Sequence, residues 1–334
     1  MTQTDLRELN GDGYFKGLEN IRFGDALPAP LTSINATMPA GILGAISPAV
    51  VENILALRTG DEALGGRNKV MDWADEKYFM PFVEKAGNTS PYADNSTPLQ
   101  ASMNVSFNDT GHYRFSSSFT YGDLQAQQFS KARINYADTI LRSATEALAV
   151  ELNRVAFNGY IDNAGNAMLV YGLLNNPNLD NYSAETKTFE QSTWQEIMAF
   201  FAKAVTALLT KSGNNINGQS DIRVVVSASA FAQLQSKYTD LGVSVYKTLT
   251  DLYPKMRFVP AIELDSAVNG TNAIYFIGES AVGGIDKTTD LGFSEIALMG
   301  NVVQLHNGYS QTISAGTCGA LIYKPSFVVR YYGV

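Results

Sequence analysis

Between Asp123 and Asn158 apolar residues recur at the period of an α-helix: Ile134, Leu141, Leu148 and Val155 every seven residues, with Ala137, Ala144 and Leu152 on the turns between. The stretch contains neither Gly nor Pro, opens on a capping residue, Asp123, and stops at Gly159. This predicts one long helix with one buried face. At 1.5 Å per residue it would run for roughly 50 Å, longer than a small domain is wide, so the rest of the chain is expected to pack along it as a spine. A turn-rich segment, YGLLNNPNL from Tyr171 to Leu179, follows directly.

Upstream the period changes to two. Ala101, Met103, Val105 and Phe107 alternate with Ser102, Asn104, Ser106 and Asn108, and Tyr113, Phe115, Phe119 and Tyr121 alternate with Arg114, Ser116, Ser118 and Thr120. Two half-buried strands are predicted, joined by a turn at Asn108–Gly111. A further strand spans Tyr78–Val83 and leads into a polar tip from Gly87 to Pro98. A ribbon of two or three strands with one apolar face is marginal by itself and leaves both edges free, so it needs a covering surface. Within one chain that surface would be the spine; in an assembly it would be the neighbouring subunit.

The first 45 or so residues follow neither period and are punctuated by Pro28, Pro30, Pro39 and Pro48 and by Gly11, Gly13, Gly17 and Gly24. They still carry Tyr14, Phe15, Leu18, Ile21, Phe23, Leu27 and Leu31, too much apolar surface to leave in water. Either the arm wraps its own domain or it packs on another subunit. Ser47 and Pro48 then begin a short helix that ends by Gly60. Downstream of the spine, Ser192–Lys211 reads as a second helix with a Thr193/Glu196 capping box and an Ile197, Phe201, Ala204, Leu208 face. Strands and helices then alternate: Arg223–Val226, Ala228–Ser236, Val243–Leu252, Arg257–Pro260 and Ala273–Ile277. That order predicts a small α/β domain between Ser192 and Gly283. Strands at Val302–His306, Ser310–Ser314, Gly319–Tyr323 and Phe327–Tyr331 are expected to return to the spine and complete the first domain.

At 334 residues and 45% hydrophobic content the chain can bury a large core. No apolar run of about 18 residues predicts a membrane span, and the N-terminus lacks the basic and apolar regions of a signal peptide. A net charge of -8 opposes tight, sequence-independent binding of nucleic acid. Cys318 is the single cysteine, so no intrachain disulfide can form, which fits a reducing compartment.

Candidate chemistry is sparse. Phosphate-loop, nucleophile-elbow, zinc-helix and calcium-loop motifs are all lacking, and only two histidines occur. His112, in the predicted turn, and His306, after VVQL, are expected to be satisfied surface or edge residues, and Cys318 a buried structural thiol. Glu146 and Glu151 on the spine are read as ion-pair partners of Arg142 and Arg154 rather than as an acid-base pair. Gly283-Gly284 reads as a turn, and the sequons at Asn104 and Asn269 carry no meaning without secretion. Neither catalytic, metal nor cofactor residues are assigned.

The order of these parts resembles a tailed-bacteriophage major capsid protein of the Hong Kong 97-like fold, an α+β fold. The resemblance spans nearly the whole chain and is most specific at Gly172–Pro177 after the spine and at Tyr323-Lys324-Pro325 with Val328–Tyr331. It implies an N-terminal arm with a short helix (1–60), an E-loop region (61–122), a P-domain spine and turn (123–191), an A-domain around the capsomer axis (192–283) and closing P-domain strands (284–334). It implies no enzyme but a shell subunit, assembling as hexamers and pentamers around double-stranded DNA in the host cytoplasm and ending in the virion, with no membrane partner. Scaffolding, portal and decoration proteins would be its partners, the scaffold as a separate chain because no long helical leader precedes the arm. Candidate interface residues are Tyr78, Phe82, Met103, Val105, Phe107, Phe115 and Phe119 on the strands and Arg142, Glu146 and Arg154 on the spine. Some members of that family join the E-loop to a neighbour by a Lys–Asn isopeptide bond; Lys77 and Lys85 lie in the corresponding region, with plain solvated lysines as the simpler reading. An encapsulin-like compartment, which shares the fold and would reveal itself by enzyme cargo, and an α/β hydrolase with a pocket at His306 or His112 are the alternatives.

Overall fold

The computed structural model describes residues 58–87, 89, 94, 101–131, 136–162, 167–280 and 287–334. The predicted N-terminal arm and nearly all of its short helix, most of the Gly87–Pro98 tip, Ile134 of the spine stripe and the Gly283-Gly284 turn lie outside these residues. In chain order the described elements begin with α1 (Gly60–Leu64), β1 (Arg67–Lys69), β2 (Lys77–Ala86), β3 (Ser102–Gly111) and β4 (Tyr113–Gly122). The spine follows in two described segments, α2 (Asp123–Lys131) and α3 (Tyr136–Asn158), then β5 (Tyr160–Asp162), β6 (Ala167–Val170) and β7 (Ser183–Ala184). Next come α4 (Trp194–Lys211), β8 (Ile222–Ser227), α5 (Ala228–Ser236), α6 (Val245–Leu252), β9 (Met256–Ala261) and a 3-10 turn at Ile262–Leu264. The chain closes with β10 (Ala273–Gly278), β11 (Thr289–Met299), β12 (Val303–Leu305), β13 (Gly308–Ile322), a second 3-10 turn at Pro325–Phe327 and β14 (Val328–Tyr332).

The 23-residue helix α3, roughly 35 Å long, buries the predicted stripe: Ala144 and Leu148 pack on Phe119 of β4 and on Ile313 and Ala315 of β13. Further along, Leu152, Ala156 and Phe157 enter a second core shared with Val225, Val259, Ala261, Tyr275 and Ile277. The spine therefore touches one sheet with its middle and another with its end.

The first sheet has the order β1-β11-β13-β12, with β4 along the other part of β13; the second runs β7-β14-β10-β8-β9. In β10 the alternation is complete: Ile274 and Phe276 face the helices α4, α5 and α6, while Ala273, Tyr275 and Ile277 face the spine and α1. Both faces are covered, so the strand reads as the continuous apolar run AIYFIG. Helix α4 begins with the predicted capping box, Thr193 and Glu196 each satisfying the other's backbone N–H.

Two expectations are corrected here. The strands β3 and β4 do not form a hairpin at Asn108–Gly111; β3 runs through Gly111 and pairs with β2, whereas β4 pairs with β13, and only His112 separates them. The final strand, β14, joins β10 in the second sheet instead of returning to the first. Its route is set by Arg330, whose guanidinium lies over the Tyr182 ring and donates to the carbonyls of Leu174, Leu179 and Asp180.

Those carbonyls belong to the segment after the spine, and the GLLNNP turn is its hub. Leu173 and Leu174 N–H donate to the Ala156 and Phe157 carbonyls, supplying partners that the helix end lacks. Asn175 accepts from Gly172 N and donates to Asn158 O, and Asn176 donates to Ala320 O on β13. The approach is so close that a Cβ on Gly172 would lie 2.3 Å from Phe157 O.

Candidate assembly surfaces

The ribbon of β2 and β3 is paired in register from Lys77 opposite Gly111 to Ala86 opposite Ser102. Side chains of directly opposed residues share a face. Even-numbered residues of β2 turn toward the molecule: Met80 is buried with Met71, Cys318 and Leu321, and Tyr78 and Phe82 pack at the margin of the same cluster. Odd-numbered residues turn outward. Phe79 (57% exposed), Val83, Met103 (68%), Val105 and Phe107 (65%) form an apolar strip along that face, with Pro81 opposite Phe107 and Lys85 opposite Met103.

The interface candidates therefore divide. Met103, Val105 and Phe107 lie together on the outward strip, and β3 at that stretch is exposed throughout rather than half-buried. Tyr78 and Phe82 serve the ribbon's attachment, while Phe119 and the half-buried Phe115 pack under the spine. Phe79 and Val83 complete the strip and were not among the candidates; the period-two pattern of KYFMPFVEKA is apolar at both parities, and only the parity of pairing with β3 separates the faces. On the spine, Arg142 is exposed, Glu146 pairs with Arg58, and Arg154 donates to Glu151, which also accepts from Tyr113. Lys77 forms a 2.7 Å ion pair with Asp109, which raises the lysine pKa and lowers that of the aspartate through the hydrogen bond between them.

Two further apolar patches were not anticipated. Ile296, Leu298, Met299, Val302, Val303 and Leu305 are exposed around the β11–β12 connection. In the second sheet's helical layer, Leu241 is 90% exposed at the tip of a turn held by hydrogen bonds between Thr239 and Val243.

Of the three residues with potential chemistry, His112 and Cys318 hold structural posts. His112, expected near the surface, is buried where the chain crosses from ribbon to sheet: Nδ1–H donates to Asp75 O at 2.7 Å, and Ser294 Oγ–H donates to Nε2 at 2.8 Å. Burial lowers its pKa. His306 is exposed on the turn after β12. Cys318 is buried as predicted, and burial pushes its thiol up to about 12, far from a nucleophile's range.

Over residues 29–333 the sequence matches the family described as Pa193 gp26 major capsid protein. Among solved structures, the capsid of Myoviridae phage XM1 aligns with a TM-score of 0.73 at 14% identity, covering 90% of this chain and 99% of that one. A Gordonia phage Cozz chain aligns at 0.57 and 12% identity (92% and 98% covered), and the capsid of an empty GTA particle at 0.56 and 10% (86% and 94%). No curated protein sequence matches. The fold is thus the mixed α+β fold of Hong Kong 97-like phage capsids.

Proposed function

This chain belongs to the Pa193 gp26 major capsid protein family, a structural family and not one of enzymes, and from that premise we propose that its copies assemble as hexamers and pentamers into an icosahedral shell around double-stranded DNA. The observation that carries the reading is the outward strip of the ribbon. Burying its five large side chains would contribute about 5–10 kcal/mol at ordinary transfer values. Association costs about 4–15 kcal/mol in lost translation and rotation, so one such contact holds a pair weakly and a closed ring of them holds well. In this reading the strip meets a different surface of the next copy, a heterologous contact, which closes a ring where the rotation between copies closes.

In this reading 61–122 is the E-loop region, 123–191 the spine and turn, 192–283 the A-domain with β14 added to its sheet, and 284–334 the closing strands. The charge of -8 lets packed DNA lie inside without adhering. The family match, more than the fold, favours a virion shell over a cargo compartment. Scaffolding, portal and decoration proteins are the further partners proposed. Lys77 is already paired with Asp109, which leaves Lys85, on the outward strip, as the better-placed lysine for any covalent link.

The test is the double variant Phe79→Ser, Phe107→Ser. Both side chains are more than half exposed, so the subunit should fold with unchanged secondary structure while shell yield, counted by negative-stain imaging, drops at least tenfold. Unchanged yield would remove the ribbon strip from the interface.

A further inference from the structure

Where the spine meets the second sheet lies a polar cluster apart from the outward strip of the ribbon. Asn153, on α3, accepts the Gly60 backbone N–H at 2.8 Å through Oδ1, and its Nδ2 donates to Glu263 Oε1. Glu263 sits in the 3-10 turn after β9 and is only 8% exposed. Its other oxygen, Oε2, and Thr59 Oγ1, at the entrance to α1, are the two buried side-chain polar atoms without a hydrogen-bond partner among the described residues. Three elements thus contribute to one short polar chain, inside a core that includes Ala63, Leu64, Leu152, Ala156 and Leu264.

A carboxylate has about four acceptor sites and no donor, and a buried one needs several N–H or cationic partners. Here the Asn153 amide and the backbone N–H of Glu263 itself are its donors, and no cation among the described residues pairs with it. The charged groups of the surrounding elements are engaged elsewhere or add negative charge: Arg58 pairs with Glu146, Asp61 with Arg67, Arg154 with Glu151, and Arg223 on β8 with Glu279. Glu62 on α1 and Arg257 on β9 are exposed, α5 carries no charged residue, and Asp265, two residues on, accepts from Ser229. The neutral acid would place its proton on Oε2, the oxygen with no donor aimed at it.

We propose that Glu263 enters the fold as the neutral acid and acts as a pH-sensitive latch between spine helix and second sheet, closed when protonated and opened when its proton passes to solvent. Burial, the largest influence, raises its pKa, and Asp265 adds to this, against the backbone N–H and the Asn153 amide. A raised folded value means that the native state holds the extra proton. Stability from the latch is therefore complete below the ordinary carboxylate range and is lost as pH rises through the folded value.

Hydrogen exchange of the full chain across ~pH 4.5 to ~pH 8, corrected for intrinsic rates, tests this against the isosteric Glu263→Gln, which cannot ionise. Wild-type amides at 152–158 and 259–264 should lose about tenfold or more protection as pH rises, while the variant's profile stays flat. Parallel profiles would overturn the latch. Should the variant not fold, wild-type protein labelled with carboxyl-13C glutamate is titrated by infrared: an isotope-shifted protonated-acid band that persists above the pH at which the other glutamates lose theirs is expected, and its absence overturns the proposal. Neither readout needs a partner copy, so failure here is separable from failure of the shell reading.

Discussion

His112 occupies the single position between a strand that belongs to the ribbon and one that belongs to the body of the molecule. Both ring nitrogens are satisfied in the neutral form, because the Asp75 carbonyl can only accept and so fixes the proton on Nδ1. With its pKa lowered by burial, the folded state binds the second proton less readily than the unfolded chain. Stability from this residue is therefore present above ~pH 6.5 and is lost as pH falls through the lowered folded value, with a slope of at most about 1.4 kcal/mol per pH unit. Urea midpoints measured across the acid range should show that slope in wild type and not in His112→Gln; an identical acid loss in both would place its cause elsewhere. The sequence assigned His112 to a surface turn because NDTG is good turn chemistry. What the residues did not reveal is that Thr110 and Gly111 still pair with β2, and pairing partners are long-range facts.

Among the elements, those set by local chemistry were legible. The stripe of α3, the capping box of α4 and helix α5 at Ala228–Ser236 follow from periodicity and caps, and the structure has them at those residues. The strands were found but not their partners: the parity of β2, the separation of β3 from β4 and the transfer of β14 to the second sheet all depend on contacts remote in sequence. The GLLNNP turn was legible as punctuation, while its role as the terminus of the spine was not. That role predicts the effect of Gly172→Ala. A methyl group 2.3 Å from Phe157 O must push the turn away and strand the helix-end carbonyls, so the variant should lose at least about 2 kcal/mol in chemical denaturation. Retention of wild-type stability would mean that the turn is not what closes the spine.

For the whole molecule, the core and the exposed patches divide the work. The spine, both sheets and the hub turn make a body in which His112, Cys318 and Arg330 are all structural. The ribbon strip, the β11–β12 patch and the Leu241 turn are apolar surfaces of the kind that mark association. The family match explains why a chain with a large core leaves them uncovered. Sedimentation velocity of the purified full-length protein, under conditions that promote assembly and with a scaffold supplied where needed, tests this most directly. The account predicts hexamers and pentamers that convert to fast-sedimenting closed shells. A monomer or dimer that persists through every such condition would contradict it.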